Sequence, residues 1–195
     1  MLKRKVIDRL EKWYQSGHYK APLLFGSRQV GKTTAIRMFS KAHYEHLVEV
    51  NFVKYPMATK AFDGDLTTRT IITNLSAMGF GPFVEDKTLV FFDEIQECPN
   101  ARTAIKFLVE EHLYDYIESG SLLGINYKPV PSYPVGYEER YDVYPLDFEE
   151  FLWAKGVSCD VIEVIKNSYN LLSPVPEFIH QQISRYYREY LVVGG

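Results

Sequence analysis

Little in this chain suits metal, redox or membrane chemistry. Its two cysteines, Cys98 and Cys159, stand far apart and share no C-x-x-C or similar spacing, so neither a disulfide framework nor a thiolate metal site is expected. The five histidines (His18, His43, His46, His112 and His180) show no ligand spacing with Cys or Glu, which leaves zinc chemistry without support. No apolar run approaches the ~18 residues of a membrane span. The N-terminus is basic but has no apolar stretch behind it, unlike a secretory signal. A cytoplasmic chain with no membrane partner is the expectation.

What is present is enough for a real core. A chain of 195 residues, 46% apolar and 15% aromatic, suits one domain, or one domain with a small appendage. Fifteen tyrosines cluster late (Tyr127, Tyr133, Tyr137, Tyr141, Tyr144, then Tyr186, Tyr187 and Tyr190). The net charge of −3 is unevenly spread: residues 1–41 hold ten Lys/Arg against two Asp/Glu, and the rest hold twelve against twenty-three. The basic start (Lys3, Arg4, Lys5, Arg9, Lys12) suits nucleic acid or an acidic partner. It equally suits a solvated helix face, with Leu2, Val6, Leu10 and Trp13 or Tyr14 turned inward. No aromatic–basic platform accompanies it, so the solvated face is the preferred reading.

The most informative stretch is Gly26-Ser27-Arg28-Gln29-Val30-Gly31-Lys32-Thr33, which fits G-x-x-x-x-G-K-[ST] at every fixed position. Each fixed position has a task around a polyphosphate. The glycines let the backbone approach, so that successive N–H groups form an anion nest. The following helix adds its positive N-terminal end. Lys32 brings a point charge to the outer phosphates, and the Thr33 hydroxyl can ligate Mg²⁺. Thr34 begins the helix. An apolar strand (Leu23, Leu24, Phe25) precedes the loop and a helical pattern (Ala35, Ile36, Phe39) follows it.

Patterning along the chain predicts a helix over about 2–15, a strand over 21–25, and a strand over 46–52. Further on it predicts a helix over 66–79 with Leu66, Ile71, Ile72, Leu75 and Met78 inward, and a strand over 88–94. A helix over 100–111 capped by Asn100, strands near 114–121 and 139–144, and helices over 145–154, 160–170 and 175–191 complete the order. The Pro-rich stretch 127–136 reads as a loop whose length hints at function or mobility. Strands alternating with helices imply a parallel sheet covered on both faces.

The strand "LVFFDE" ends in two carboxylates. Asp93 there can hold the water shell of Mg²⁺ beside the phosphate loop, and Glu94 is placed to polarise a water attacking the γ-phosphate. A Ras-type GTPase would need D-x-x-G and N-K-x-D, but Asp93 is followed by Glu94, Ile95 and Gln96, and no N-K-x-D occurs. A small-metabolite kinase stays possible, although such enzymes usually lack a Glu directly after the strand Asp.

Over most of residues 20–195 the chain resembles the prokaryotic AAA-type ATPases that carry an uncharacterised C-terminal domain. The resemblance rests on "GSRQVGKTT", "VNF", "FFDEIQECPNARTAIKFLVEE", "IESGSLLG" and "YPLDFEEFL" in that order. It implies a three-layer α/β/α P-loop domain with a parallel sheet in the order 5-1-4-3-2, and ATP and Mg²⁺ as cofactors. It implies nucleotide binding by residues Gly26 to Thr34, metal binding by Thr33 and Asp93, and water activation by Glu94. It also puts a γ-phosphate sensor at Ser119 or Ser121, and an arginine at Arg140 where a neighbouring copy would lend one to the site. Leu146, Phe148, Phe151 and Leu152 of "PLDFEEFL" read as core packing. The expected organisation is an ATP-binding core over 1–155 and C-terminal helices over 156–195, forming a partial lid or the start of a second domain. Family members usually continue beyond a segment like "YLVVGG", so a piece of a longer protein is expected. Two function classes follow. One is an ATPase, with a homo-oligomer among the expected assemblies, whose turnover drives or switches an unknown protein or DNA partner. The other is a nucleotide-gated interaction or nucleic-acid-binding module with slow turnover.

Overall fold

Five short parallel strands set the frame of the computed structural model, which describes residues 2–17, 19–121 and 131–194. In chain order they are β1 (Ala21–Phe25), β2 (His46–Asn51), β3 (Thr88–Asp93), β4 (Asp115–Gly120) and β5 (Glu138–Asp142). They pair in the order β2-β3-β4-β1-β5, which is the expected 5-1-4-3-2 read from the other edge. The helices are α1 (Lys5–Gln15), α2 (Lys32–His43), α3 (Thr68–Ala77), α4 (Pro99–Glu110), α5 (Phe148–Ala154), α6 (Cys159–Asn170) and α7 (Glu177–Val193). Short 3₁₀ turns lie at Pro56–Phe62 and Ile95–Glu97.

The sheet is apolar on both faces because parallel strands are covered on both. On one face Leu24, Leu89, Phe91 and Ile117 pack with Ile36 and Phe39 of α2 and Leu10 and Trp13 of α1. On the other, Leu23, Val50, Val90, Phe92 and Tyr116 pack with Ile71 and Leu75 of α3 and Ile105 and Leu108 of α4. Each such large side chain contributes roughly 1.5–3 kcal/mol on burial. Together these layers form the α/β/α arrangement.

The chain divides into two compact units. One spans Val6–Val143 and holds the whole sheet; the other joins the residues through Lys5 to those from Tyr144 onward. The expected boundary lay after residue 155, whereas this division falls ahead of α5. Aromatic packing inside the second unit accounts for that: Phe148 meets Tyr187 and Tyr190, with centroids 5.2 and 5.5 Å apart. Phe151 meets Tyr190 at 5.4 Å. A capping box of Asp147 and Glu150 opens α5, and the Glu150 carboxylate also accepts the Lys5 backbone N–H at 2.7 Å.

Several local expectations are corrected. The first helix begins at Lys5 rather than residue 2, and Leu2 is exposed. Asn100 does not cap α4; the helix starts at Pro99, whose fixed φ suits a first turn, and the Asn100 amide instead donates to the Phe62 carbonyl at 3.2 Å. Met78 lies just past α3 and is exposed. Within the Pro-rich stretch, Tyr127 lies outside the described residues. The Ser132 carbonyl accepts a hydrogen bond from Thr103 of α4 at 3.1 Å, and Tyr133 lies over the Arg102 guanidinium. His18 is also outside the described residues.

Candidate functional site

The loop between β1 and α2 adopts the conformation its glycines and turn residues dictate. Gly31 has φ 90° and Gln29 φ 66°, both left-handed, and Gly31 offers no side chain to cap α2. The first N–H groups of a helix have no intrahelical partner, so this end of α2 is a donor array with a positive dipole end. Gly26 is required for a different reason. A Cβ there would stand 2.0 Å from the Val143 carbonyl oxygen, because the chain leaving β5 closes over β1 with the Val143 N–H donating to Phe25 at 2.7 Å.

Lys32 is not the solvent-facing cation that its loop position suggests. It is buried, and its Nζ donates to the carbonyls of Gly26 at 2.8 Å and Ser27 at 2.7 Å. Burial pushes its ammonium below the ordinary lysine value; Glu94 and Asp93 pull the other way, and Arg28 adds to the push. Thr33 is partly buried on the first turn of α2, and Thr34 is exposed beside it.

Parallel register brings the strand ends together. Asn51 of β2 is in register with Asp93 of β3, and its amide donates to Asp93 Oδ2 at 2.6 Å. Ser119 of β4 donates to Asp93 Oδ1. Burial pushes the Asp93 carboxyl above its usual range, opposed by those two hydrogen bonds and reinforced by Glu94 and Glu49. Glu94 sits just past the strand with φ 56° and ψ 49°, a left-handed conformation uncommon for a residue with a side chain. Its Oε2 accepts from Ser121 Oγ at 3.1 Å and from the Gln96 amide at 2.5 Å. The two serines therefore divide: Ser119 holds Asp93 and Ser121 holds Glu94.

Arg140 stands on the edge strand β5. It pairs with Asp142 at 2.7 Å and its guanidinium lies 4.0 Å over the Phe25 ring, the local ion pair being the alternative to a reach into a neighbouring site. Asn51 and Gln96 were missed as site residues. The register of β2 with β3 brings Asn51 to Asp93, and no spacing rule signals it. Gln96, two residues past Glu94, shows only as the last letter of "DEIQ".

Thr33 carries a hydroxyl and Asp93 a carboxylate, hard oxygens of the kind that Mg²⁺ takes. Among the described residues no group of three or more His, Cys, Asp or Glu could hold a metal alone.

A family model described as an AAA domain matches residues 18–152. The chain belongs to the AAA-domain family. Its β1–α2 loop and five-stranded parallel sheet form an AAA-type P-loop ATPase core. Among solved structures, the chain is similar to the Orc1 protein of Aeropyrum pernix in complex with DNA, at 14% identity and a TM-score of 0.49. That match covers 87% of this chain and 56% of Orc1. It is also similar to PCH-2 of C. elegans, at 13% identity and a TM-score of 0.46, covering 86% of this chain and 47% of that one. The chain thus spans about half the length of these two proteins. No curated protein matches the sequence. Among the described residues no helix is long and apolar enough to cross a membrane.

Proposed function

We propose that this AAA domain binds ATP with Mg²⁺ and hydrolyses it to switch or remodel a partner. The single observation that carries the reading is the convergence of Asp93, Glu94, Ser119 and Ser121 at the strand ends beside the Gly26–Thr33 loop. Thr33 and Asp93 would hold Mg²⁺, which supplies neutralisation of the phosphate charge. The α2 N-terminus and loop N–H groups bind the phosphates, and Lys32 exchanges the Gly26 and Ser27 carbonyls for phosphate oxygens. Its partial desolvation strengthens that exchange, since a weakly solvated cation gains most from an anion. Asn51 and Ser119 fix the Asp93 carboxylate from both sides.

Glu94 is the base. Water attacks the γ-phosphorus, its proton passes to the Glu94 carboxylate, and the bond to the β-phosphate oxygen breaks to leave ADP and inorganic phosphate. Each serine hydroxyl is already donated, Ser119's to Asp93 and Ser121's to Glu94, so either one would have to release its carboxylate to sense the γ-phosphate.

The alternative, a nucleotide-gated nucleic-acid module, leans on the basic start of the chain. In the smaller unit those charges are engaged: Arg4 pairs with Glu150 at 3.1 Å and Lys5 with Asp147 at 2.6 Å and Glu149 at 2.8 Å. In the sheet unit Arg9 lies over Tyr141. The ATPase reading is therefore favoured. Steady-state phosphate release with Mg²⁺, with and without DNA, tests it. Turnover that needs Mg²⁺ and ignores DNA is expected, and nucleotide binding without turnover at any DNA concentration would overturn hydrolysis.

A further inference from the structure

The Glu94 carboxylate is not presented freely. One of its oxygens, Oε2, takes both side-chain donors, the Ser121 hydroxyl at 3.1 Å and the Gln96 amide at 2.5 Å. Gln96 Nε2 also lies 3.5 Å from Ser121 Oγ, so the three side chains form a closed triangle. Neither of those two bonds falls on the other oxygen, Oε1.

Two features pin Gln96 in that pose. The 3₁₀ turn Ile95–Glu97 follows directly on the left-handed Glu94 and carries the amide back under the strand end. The far side of the amide faces Gly120 of β4: a Cβ there would stand 3.4 Å from Gln96 Oε1. That oxygen is buried and has no hydrogen-bond partner. An orphan acceptor of this kind is destabilising, and a buried unsatisfied group calls for an explanation, a catalytic role among them. Flipping the amide would relieve nothing, because it would turn the oxygen towards the Glu94 carboxylate. The amide orientation is set by the charge it serves.

We infer that Gln96 is a positioning residue for hydrolysis: with Ser121 it clasps Oε2 of Glu94, fixes the carboxylate plane and leaves Oε1 as the oxygen that takes the proton of the attacking water. The inference rests on the reading of Glu94 as the base. Gln96 bonds to Glu94 and Ser121 and acts through Glu94. A carboxylate on a left-handed residue has other rotamers open to it, and a base displaced by about 1 Å can lose roughly 100-fold in rate. Two donors on one oxygen remove that freedom.

The test compares the parent chain with Gln96→Ala, Gln96→Glu, Glu94→Gln and the double variant Gln96→Ala/Glu94→Gln. Mg-ATP turnover is measured alongside affinity for a fluorescent ATP analogue. Gln96→Ala is expected to lower kcat roughly 10- to 100-fold with KM and analogue affinity unchanged. Gln96→Glu keeps the shape but replaces the donor with a second carboxylate, so it should be at least as slow. The double variant should turn over no more slowly than Glu94→Gln alone, because residues that act as one unit are non-additive. Full turnover by Gln96→Ala beside a slow Glu94→Gln would overturn the clasp and leave the base in place. Losses that simply multiply in the double variant would overturn it too, as would a lower analogue affinity in Gln96→Glu. Full turnover by Glu94→Gln would instead remove the base reading on which the clasp rests.

Discussion

Lys32 lies folded back on its own loop, its Nζ donating to the Gly26 carbonyl at 2.8 Å and to Ser27 at 2.7 Å. The cation that would meet the outer phosphates thus also ties the loop closed. Lys32→Ala is expected to abolish binding of a fluorescent ATP analogue. It should also lower stability by about 1 kcal/mol, the usual net worth of such hydrogen bonds. Urea unfolding beside the titration separates the effects, and unchanged affinity would remove residues 26–33 from the site.

The two carboxylates should part company. Glu94→Gln keeps shape and loses the charge that polarises water, so it should bind ATP normally and hydrolyse at least ~100-fold more slowly. Asp93→Asn should weaken the Mg²⁺ dependence of binding, because a neutral amide is a poor ligand for a hard cation. Calorimetric titration with and without Mg²⁺ reads the second effect. If Glu94→Gln is as fast as the parent, Glu97 is the next carboxylate to test as base.

Gly26 should tolerate no side chain. Gly26→Ala would drive a methyl group to 2.0 Å from the Val143 carbonyl, and the resulting overpacking should cost about 3 kcal/mol or more. Its unfolding midpoint in urea is the measurement. A midpoint matching the parent would mean that the β5 end does not close over β1 in solution.

Glu118 of β4 is fully buried and neither carboxylate oxygen has a hydrogen-bond partner. Burial raises its carboxyl well above the usual range; Glu138 on β5 adds to that, and Arg102 on α4, itself paired with Glu138 at 2.7 Å, opposes it. The folded state therefore holds a proton that the unfolded state has released. Its contribution is intact below the ordinary glutamate value near 4.5 and is lost as pH rises through the folded value. The folding equilibrium weakens by at most about tenfold for each pH unit in that window. Glu118→Gln should remove that slope and be more stable than the parent at neutral pH. Parallel stability–pH curves for the two proteins would show that the carboxyl is solvated or paired.

Arg140 is the residue whose role depends on a second copy of the chain. Its bond to Asp142 and its place over Phe25 leave it half exposed on an edge strand, so it can be lent to a neighbour at the loss of a surface ion pair worth about 0–1 kcal/mol. If it completes a neighbour's site, activity per chain should rise with concentration. Arg140→Ala should then bind ATP yet lose about 10³-fold or more in turnover, with partial rescue on mixing with Lys32→Ala chains. Flat activity on dilution with a fully active Arg140→Ala would restrict Arg140 to its own ion pair.

By itself, the sequence determined whatever depends on neighbours along the chain. The phosphate loop is legible because glycine, lysine and threonine at fixed spacing have only local tasks. β1 and β3 are legible because strands buried on both faces leave nearly unbroken apolar runs. α2 and α4 show because one face of each repeats at helical spacing. The strand order 5-1-4-3-2 came with the family resemblance, and the pairing order is the same. Tertiary structure alone decided what depends on register and close approach. It brought Asn51 to Asp93, split Ser119 and Ser121 between two carboxylates, folded Lys32 inward, and set the Val143 carbonyl where Gly26 must have no side chain. Local patterns cannot encode these, since parallel pairing joins residues tens of positions apart, and a one-residue slip in register would turn every side chain to the opposite face.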